Sequence, residues 1–300
     1  MSGDADCRGR GAGKGNSRVS ERAGEKGELK APTVLVTDSG VGGLSVVRAI
    51  RAALPGVRII YLADNAAFPY GKLSRDVLTG RLTGLATRLV ADYDCDAMVV
   101  ACNTASTVVL DALRKVLKVP VVGTVPAIKT AGAVSNTRVI GLLATEATVN
   151  GPYIEDLIAK FASDCEVVKI GSPDLAAMAE AFARGHAPDH ARLKTILVPF
   201  FGRHTDPVDA VVLGCTHYPL IVDDLRAVSP RDVKWLDPSP AIAERLKTVL
   251  GDKHNISEPS SGADRALFTA PDTDLDAVRA FFDKFGFSDL SVLPAQELSP

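Results

Sequence analysis

The sequence predicts an α/β protein: two similar α/β domains with mostly parallel sheets and the functional site in the cleft between them. Three observations carry this. Short apolar runs alternate with helical stripes from Thr33 to Leu250, the rhythm of sheets covered by crossover helices. The first run ends in a glycine-rich turn, Asp38-Ser39-Gly40-Val41-Gly42-Gly43, which is how a βαβ unit opens. The stretch Asp96-Ala97-Met98-Val99-Val100-Ala101-Cys102-Asn103-Thr104 is echoed by Asp209-Ala210-Val211-Val212-Leu213-Gly214-Cys215-Thr216-His217. Each copy runs from Asp-Ala through small apolar residues to a cysteine and then to polar residues. Such a run suits a strand buried on both faces. In parallel sheets ligands sit beyond the carboxyl ends of the strands, so both thiols are expected at a rim where chemistry is done.

Residues 1–31 are rich in Gly, Arg, Lys, Glu and Ser, with Val19 and Leu29 almost alone as larger apolar residues. They cannot bury enough surface to offset ordering entropy and are expected to be a disordered tail. They lack the apolar core of a signal peptide. The run Gly9–Gly15 is not a phosphate loop: its glycine spacing is wrong, no Ser or Thr follows Lys14, and no strand precedes it.

Order is expected from Pro32. Thr33–Thr37 reads as a buried strand and Leu44–Ile50 as the helix after the glycine turn. Those glycines permit close backbone approach to a ligand, and a helix N-terminus attracts anions, but the turn is not GxGxxG and is a weak nucleotide signal. Asp38 either caps the helix or enters the site. Val57–Leu62 is a second strand, followed by the loop Ala63–Gly71. Leu78, Leu82, Leu85 and Leu89 form the stripe of a helix packed on a sheet. The third strand delivers Cys102, a helix spans about Thr104–Leu117, and a short strand spans Val119–Val122. The rhythm resumes with a strand at Arg138–Leu143, the turn Ala144–Thr148 and a helix, then a strand at Glu166–Ile170. Helical segments fill about Leu175–Phe201. The next strand delivers Cys215, and a strand at Val233–Leu236 leads into a helix at Pro240–Leu250. The expected division is a first domain of residues 32–129 plus 242–300 and a second of 130–241.

With 46% hydrophobic residues the 300-residue chain can build a sizeable core, and its net charge of −2 gives no reason to expect nucleic acid or an anionic membrane as partner. No apolar run reaches the roughly 18 residues that span a bilayer. Five cysteines without close pairing (Cys7, Cys95, Cys102, Cys165 and Cys215) point to reduced thiols and a cytoplasmic protein. Nothing has the spacing of structural zinc, and no metal is expected. Cys95 and Cys165 read as structural, Trp235 as packing, and His186, His190, His204 and His254 as carrying no chemistry.

Two cysteines facing one cleft can form a redox pair, bind metal, supply a nucleophile or act as two acid/base groups. A redox pair is disfavoured without CxxC. A thiol hydrolase needs a thiol, a histidine and an orienting acid, which Cys215, His217 and Asp38 can in principle supply. A two-domain binding protein without turnover is a third reading.

Asp38-Ser39-Gly40, Pro69-Tyr70-Gly71, Ala101-Cys102-Asn103-Thr104, Ala144-Thr145 with Thr148, and Gly214-Cys215-Thr216-His217 resemble the signature blocks of the aspartate/glutamate racemase superfamily, and of its glutamate racemases in particular. They occur in that family's order and cover most of the chain from Thr33 to Leu250. The resemblance implies a cofactor-independent isomerase that interconverts L- and D-glutamate in the cytoplasm and supplies D-glutamate for peptidoglycan. It also implies a homodimer, with aspartate or another amino acid as the alternative substrate. Cys102 and Cys215 match the catalytic thiols, with Cys102 on the D-isomer's face and Cys215 on the L-isomer's. Asp38 and His217 match their polar partners. Glu180 matches a further acid, against the plain reading of a solvated helix carboxylate. Ser39, Pro69, Tyr70, Gly71, Asn103, Thr104, Thr145, Thr148 and Thr216 match substrate-binding positions, although Asn103, Thr104 and Thr216 also suit helix caps. Ser172, where the family commonly has Cys, and Ala63-Asp64-Asn65 depart from its pattern.

Physical chemistry agrees with this. Racemisation needs a base on one face of Cα and an acid on the other. An ordinary thiol, with a pKa of about 8.5, lies nearer neutrality than Lys or Tyr. Pyridoxal phosphate is the alternative electron sink, but Lys72, Lys115 and Lys129 have no convincing phosphate cup beside them.

Overall fold

The computed structural model describes residues 30–202, 206–251, 254–258 and 262–294. The expected tail therefore lies outside the described residues except for Lys30 and Ala31, as do Cys7 and His204. In chain order the elements are β1 (Thr33–Asp38), α1 (Leu44–Ala53), β2 (Arg58–Ala63), α2 (Arg75–Asp92), β3 (Ala97–Val100), α3 (Asn103–Val116), β4 (Val121–Gly123) and α4 (Ile128–Val134). Then come β5 (Val139–Ala144), α5 (Glu146–Val149), α6 (Pro152–Phe161), β6 (Glu166–Gly171), α7 (Leu175–Ala183), α8 (His190–Leu197), β7 (Ala210–Leu213), α9 (Val222–Val228) and β8 (Lys234–Leu236). The chain closes with α10 (Ser239–Leu250), β9 (Arg265–Phe268), α11 (Leu275–Asp283) and β10 (Asp289–Val292).

Two sheets form. One has the order β10-β9-β2-β1-β3-β4 and the other β6-β5-β7-β8. Every strand pair is parallel. The central strands β1, β3, β5 and β7 are buried along their whole length, which is why they read as unbroken apolar runs rather than alternating ones. Each sheet is covered on both faces. Val46, Val47 and Ile50 of α1, Ile242 and Leu246 of α10, and Phe281 and Phe282 of α11 pack on one face of the first sheet. Leu78, Leu82, Leu85 and Leu89 of α2 and Val109 and Leu113 of α3 cover the other. In the second sheet, α7, α8 and α9 cover one face, and α4 and α6 the other.

The chain leaves the first sheet after β4, builds the second, and returns through α10, which packs on α1. The connections fall at about 124–127 and 237–238, slightly ahead of 130 and 242, because α4 packs wholly in the second core and α10 in the first. The returning β9, α11 and β10 are elements that the sequence reading did not resolve. Among the described residues no helix is long and apolar enough to cross a membrane.

Strand order fixes where a site can form. From β1 the chain goes to β2 on one side and to β3 on the other. From β5 it goes to β6 on one side and β7 on the other. A crevice opens where strand order reverses in this way, beyond the carboxyl ends of the two strands. The β1/β3 crevice receives Asp38 and Cys102; the β5/β7 crevice receives Thr145 and Cys215.

Candidate active site

The two crevices face each other and share one cavity. Ser39, Pro69, Tyr70, Gly71, Cys102, Asn103, Thr104, Thr145, Cys215 and His217 line it, together with Phe68, Ala176 and Gly214. Both cysteines are free thiols at its wall, and each is almost fully buried. The enclosed space is about 30 Å³, room for a water or two at roughly 10–15 Å³ each. An outer chamber of about 200 Å³ adjoins it, sharing Phe68, Pro69, Gly71, Thr145 and Ala176. Asp38, Thr148, Glu180 and Thr216, also nominated from sequence, stand behind this wall and hold it.

The two halves are cross-bonded in matching fashion. Thr216, next to Cys215, donates its hydroxyl to Asp38 Oδ2 at the end of β1 (2.8 Å). Thr104, two residues after Cys102, meets Thr145 at the end of β5 (3.3 Å) and Thr148 (3.4 Å). Thr216 and Thr104 thus spend their side chains across the interface and do not cap helices. Asp38 does not cap α1 either; it accepts the Gly40 N–H at 3.0 Å. Asn103 is 3% exposed, and neither its amide nitrogen nor its oxygen has a partner in the protein. A buried amide left unpaired costs free energy, so this one is poised for a polar ligand. Ser172 accepts the N–H groups of Asp174 and Leu175 ahead of α7 (both 3.3 Å). A serine at that position serves as a turn-closing acceptor.

Glu180 is not a solvated helix acid. It is 9% exposed, and its Oε1 meets His217 Nε2 at 2.9 Å and accepts the Val41 N–H at 2.7 Å. The other imidazole nitrogen, Nδ1, stands 3.8 Å from Cys215 Sγ. The order is therefore thiol, imidazole, carboxylate, and the acid on His217 is Glu180 rather than Asp38. The Cys215–His217–Asp38 arrangement that a hydrolase reading required is not formed. The glycine turn also acquires a different meaning. A Cβ on Gly40 would lie 1.9 Å from Glu180 Oε1, and one on Gly42 would lie 2.3 Å from His217 Nδ1. These glycines admit the second domain's acid and imidazole, not a phosphate.

Burial alone would push His217 down, but Cys215, Glu180 and Asp38 outweigh it and hold the imidazole well above its ordinary value. Burial would raise Glu180; the bonds to His217, Arg184 and Val41 reverse this and hold it below the usual carboxylate range. The pair is therefore charged. Asp38 is pushed up by burial, against the pull of His217, Thr216 and Gly40. Cys102 is pushed well above a normal thiol by burial and by the Asp38 charge, against the lowering effect of the Ala105 and Thr104 N–H groups at the start of α3. In this closed arrangement Cys102 is held in its protonated form. Cys215 faces the charged His217 imidazole, with its Sγ 3.8 Å from Nδ1.

A stability prediction follows. The depressed Glu180 contributes stability present above its unfolded value of about 4.3 and lost as pH falls through its folded value. The raised His217 contributes stability complete below its unfolded value of about 6.5 and lost as pH rises through its folded value. Both are fully present between about pH 4.3 and 6.5. The Tm difference between the unaltered protein and Glu180→Gln is expected to peak in that window and shrink on either side. Melting curves across pH check this, and a difference independent of pH contradicts the charged pair.

Sequence reasoning missed several neighbours. The Tyr61 hydroxyl donates to the Gly40 carbonyl at 2.6 Å, the Ser45 hydroxyl donates to the Thr216 carbonyl at 3.0 Å, and Phe68 lies against the His217 ring at 5.5 Å. Arg184 bonds Glu180 Oε2 at 2.8 Å. That last residue was within reach, since Glu180 and Arg184 are an i,i+4 pair on one helix face.

The Asp/Glu/Hydantoin racemase family model matches residues 43–246. The glutamate racemase of Brucella canis is 44% identical over 258 residues, covering 84% of this chain and 92% of that relative. The glutamate racemase of Pectobacterium atrosepticum is 40% identical over 285 residues, covering 94% and 99%. Among solved structures, Escherichia coli glutamate racemase in complex with L-glutamate and the activator UDP-MurNAc-ala superposes with a TM-score of 0.82 at 42% identity, over 87% of this chain and 98% of that one.

Proposed function

This chain belongs to the Asp/Glu/Hydantoin racemase family, among its glutamate racemases, and from that premise we propose that it is a cofactor-independent isomerase that interconverts L- and D-glutamate by two-thiol proton transfer. The observation that carries the mechanism is the pair of free cysteines, one from each sheet's crevice, lining a single cavity.

One thiol, as thiolate, takes the Cα proton from its face. The other gives a proton to the opposite face, and the product has inverted configuration. The same two groups run the reverse reaction with their protonation exchanged. Negative charge builds at Cα and the adjoining carboxylate in the transition state, and fixed donors aimed there do most for the rate. The N-terminus of α3, whose first residue is Asn103, the free Asn103 amide and the Thr104 and Thr145 hydroxyls are the groups available. His217, held charged by Glu180, stands against Cys215 Sγ and is placed to exchange a proton with it. Asp38 lies on the Cys102 side and there acts as its partner. The enclosed space is smaller than glutamate, so the lobes part to admit substrate and close to exclude water, as in other gated sites.

On this reading the product supplies D-glutamate for peptidoglycan, and the protein works in the cytoplasm as a homodimer. Circular dichroism of L-glutamate incubated with exhaustively dialysed, chelator-treated protein is expected to decay to zero ellipticity. Activity lost on dialysis and restored by a metal or pyridoxal phosphate sinks the proposal. L-aspartate is expected to keep its signal. Rescue of a bacterial D-glutamate auxotroph tests the physiological role.

A further inference from the structure

We propose that Asp272, which lies beyond the segment matched by the family model, is a positioning residue for the Cys215 half of the site, acting through Arg184 and Glu180. The inference rests on the two-thiol reading above and names a group which that reading does not use.

Arg184, at the end of α7, uses its guanidinium on two acids at once. Nη1 donates to Glu180 Oε2 (2.8 Å) and to the Glu180 carbonyl (2.6 Å). Nε and Nη2 form a fork on Asp272, at 3.2 Å to Oδ1 and 2.5 Å to Oδ2. The Asp272 side chain is 4% exposed. It sits between β9 and α11, in the part of the chain that has returned to the first sheet, while Arg184 and Glu180 belong to the second. The contacts make a row of alternating partners running away from the thiol: Cys215, His217, Glu180, Arg184, Asp272.

Such a row has a direct physical consequence. A bidentate fork fixes the plane of a guanidinium as a single contact does not. With that plane fixed, Arg184 presents only Nη1 to Glu180, and Glu180 keeps Oε1 for His217 and Val41. Without the Asp272 carboxylate, the whole guanidinium is free to turn onto Glu180 and draw it from the imidazole. A partly buried cation that has lost one of its two acids turns to the other. His217 would then be oriented less firmly against Cys215. No bond in this row touches Cys102, which faces Asp38 and the start of α3. Removing the Asp272 charge is therefore expected to act on one thiol's work and not on the other's.

Overall racemisation cannot show this asymmetry, because the two directions share one equilibrium constant. A half-reaction can. The probe is each enantiomer of glutamate carrying chloride at the β-carbon. The base takes the Cα proton, the electron pair forms the Cα–Cβ double bond, and chloride leaves with the bonding pair. Chloride release is measured for Asp272→Asn placed in Cys102→Ser, where only Cys215 remains, and in Cys215→Ser, where only Cys102 remains.

The expected result is a loss of about tenfold in the first background, the order of effect of a small misplacement of a catalytic group, and little change in the second. Arg184→Lys, which keeps the charge and loses the fork, is expected to do the same and serves if Asp272→Asn does not fold. An equal loss in both backgrounds, or none in either, overturns the positioning role. If the two Cys→Ser backgrounds process the same enantiomer, it is the two-thiol reading that fails, and the two failures are told apart.

Discussion

Cys102→Ser and Cys215→Ser are each expected to lower kcat/KM for racemisation of either glutamate isomer by about 10³-fold or more, because a residue that makes or breaks bonds to the transferred proton acts only in the transition state. A serine hydroxyl is a far weaker acid than a thiol, so the substituted face can neither hold a base nor deliver a proton at neutral pH. The remaining thiol keeps its own half of the chemistry. With a β-chlorinated substrate, Cys102→Ser is expected to eliminate chloride from the L-form alone and Cys215→Ser from the D-form alone. Both thiols line the same cavity from opposite sheets, so the two outcomes should be mirror images. Elimination of the same isomer by both variants contradicts the assignment. Full racemase activity in either variant contradicts the two-thiol account altogether.

Gly40→Ala is the second large effect. The added methyl would lie 1.9 Å from Glu180 Oε1, the oxygen that holds both His217 and the Val41 N–H. The carboxylate cannot retreat without releasing one of them, since Arg184 holds its other oxygen. A shift of this size in the group that orients the His217 imidazole is expected to cost about 10²-fold in rate, and overpacking a buried site about 1–3 kcal/mol of stability. Steady-state kinetics beside a thermal melt separate the two. A variant that keeps the activity of the unaltered protein would show that Glu180 need not stand where it does. Gly42→Ala makes the corresponding test on the imidazole itself.

The fold and the site were unequally legible in the sequence. The central strands announced themselves because they are buried on both faces and so are written almost wholly in Val, Leu, Ile and Ala. The repeated Asp-Ala…Cys pattern marks positions that are equivalent in the two sheets, the third strand in each progression and the one beyond the switch. β9 and β10 were not legible: β9 opens on Arg265 and offers only three apolar residues, and β10, at the sheet edge, is half exposed. They are strands because β2 offers β9 a pairing edge, which local pattern does not encode. Likewise Glu180 reads locally as an ordinary helix acid. Only the approach of α7 to the Gly40–Val41 turn buries it, and that contact spans 139 positions in the chain. Gly40 and Gly42 were visible as glycines that something must approach, but not as glycines approached by the opposite domain.

The measurement that bears most directly on the central claim is the position of deuterium in the first turnovers. L-glutamate is incubated in D₂O with the protein, and the two isomers are separated early and analysed at Cα. If Cys102 and Cys215 serve opposite faces, the D-glutamate formed carries deuterium at Cα from the outset, because the thiol that delivers its proton has exchanged with solvent. The recovered L-glutamate carries little, because the thiol that took its hydrogen has to exchange before it can return deuterium. D-glutamate that retains the substrate's own hydrogen, with L-glutamate exchanging as fast as product forms, would mean that one base serves both faces and would contradict the account.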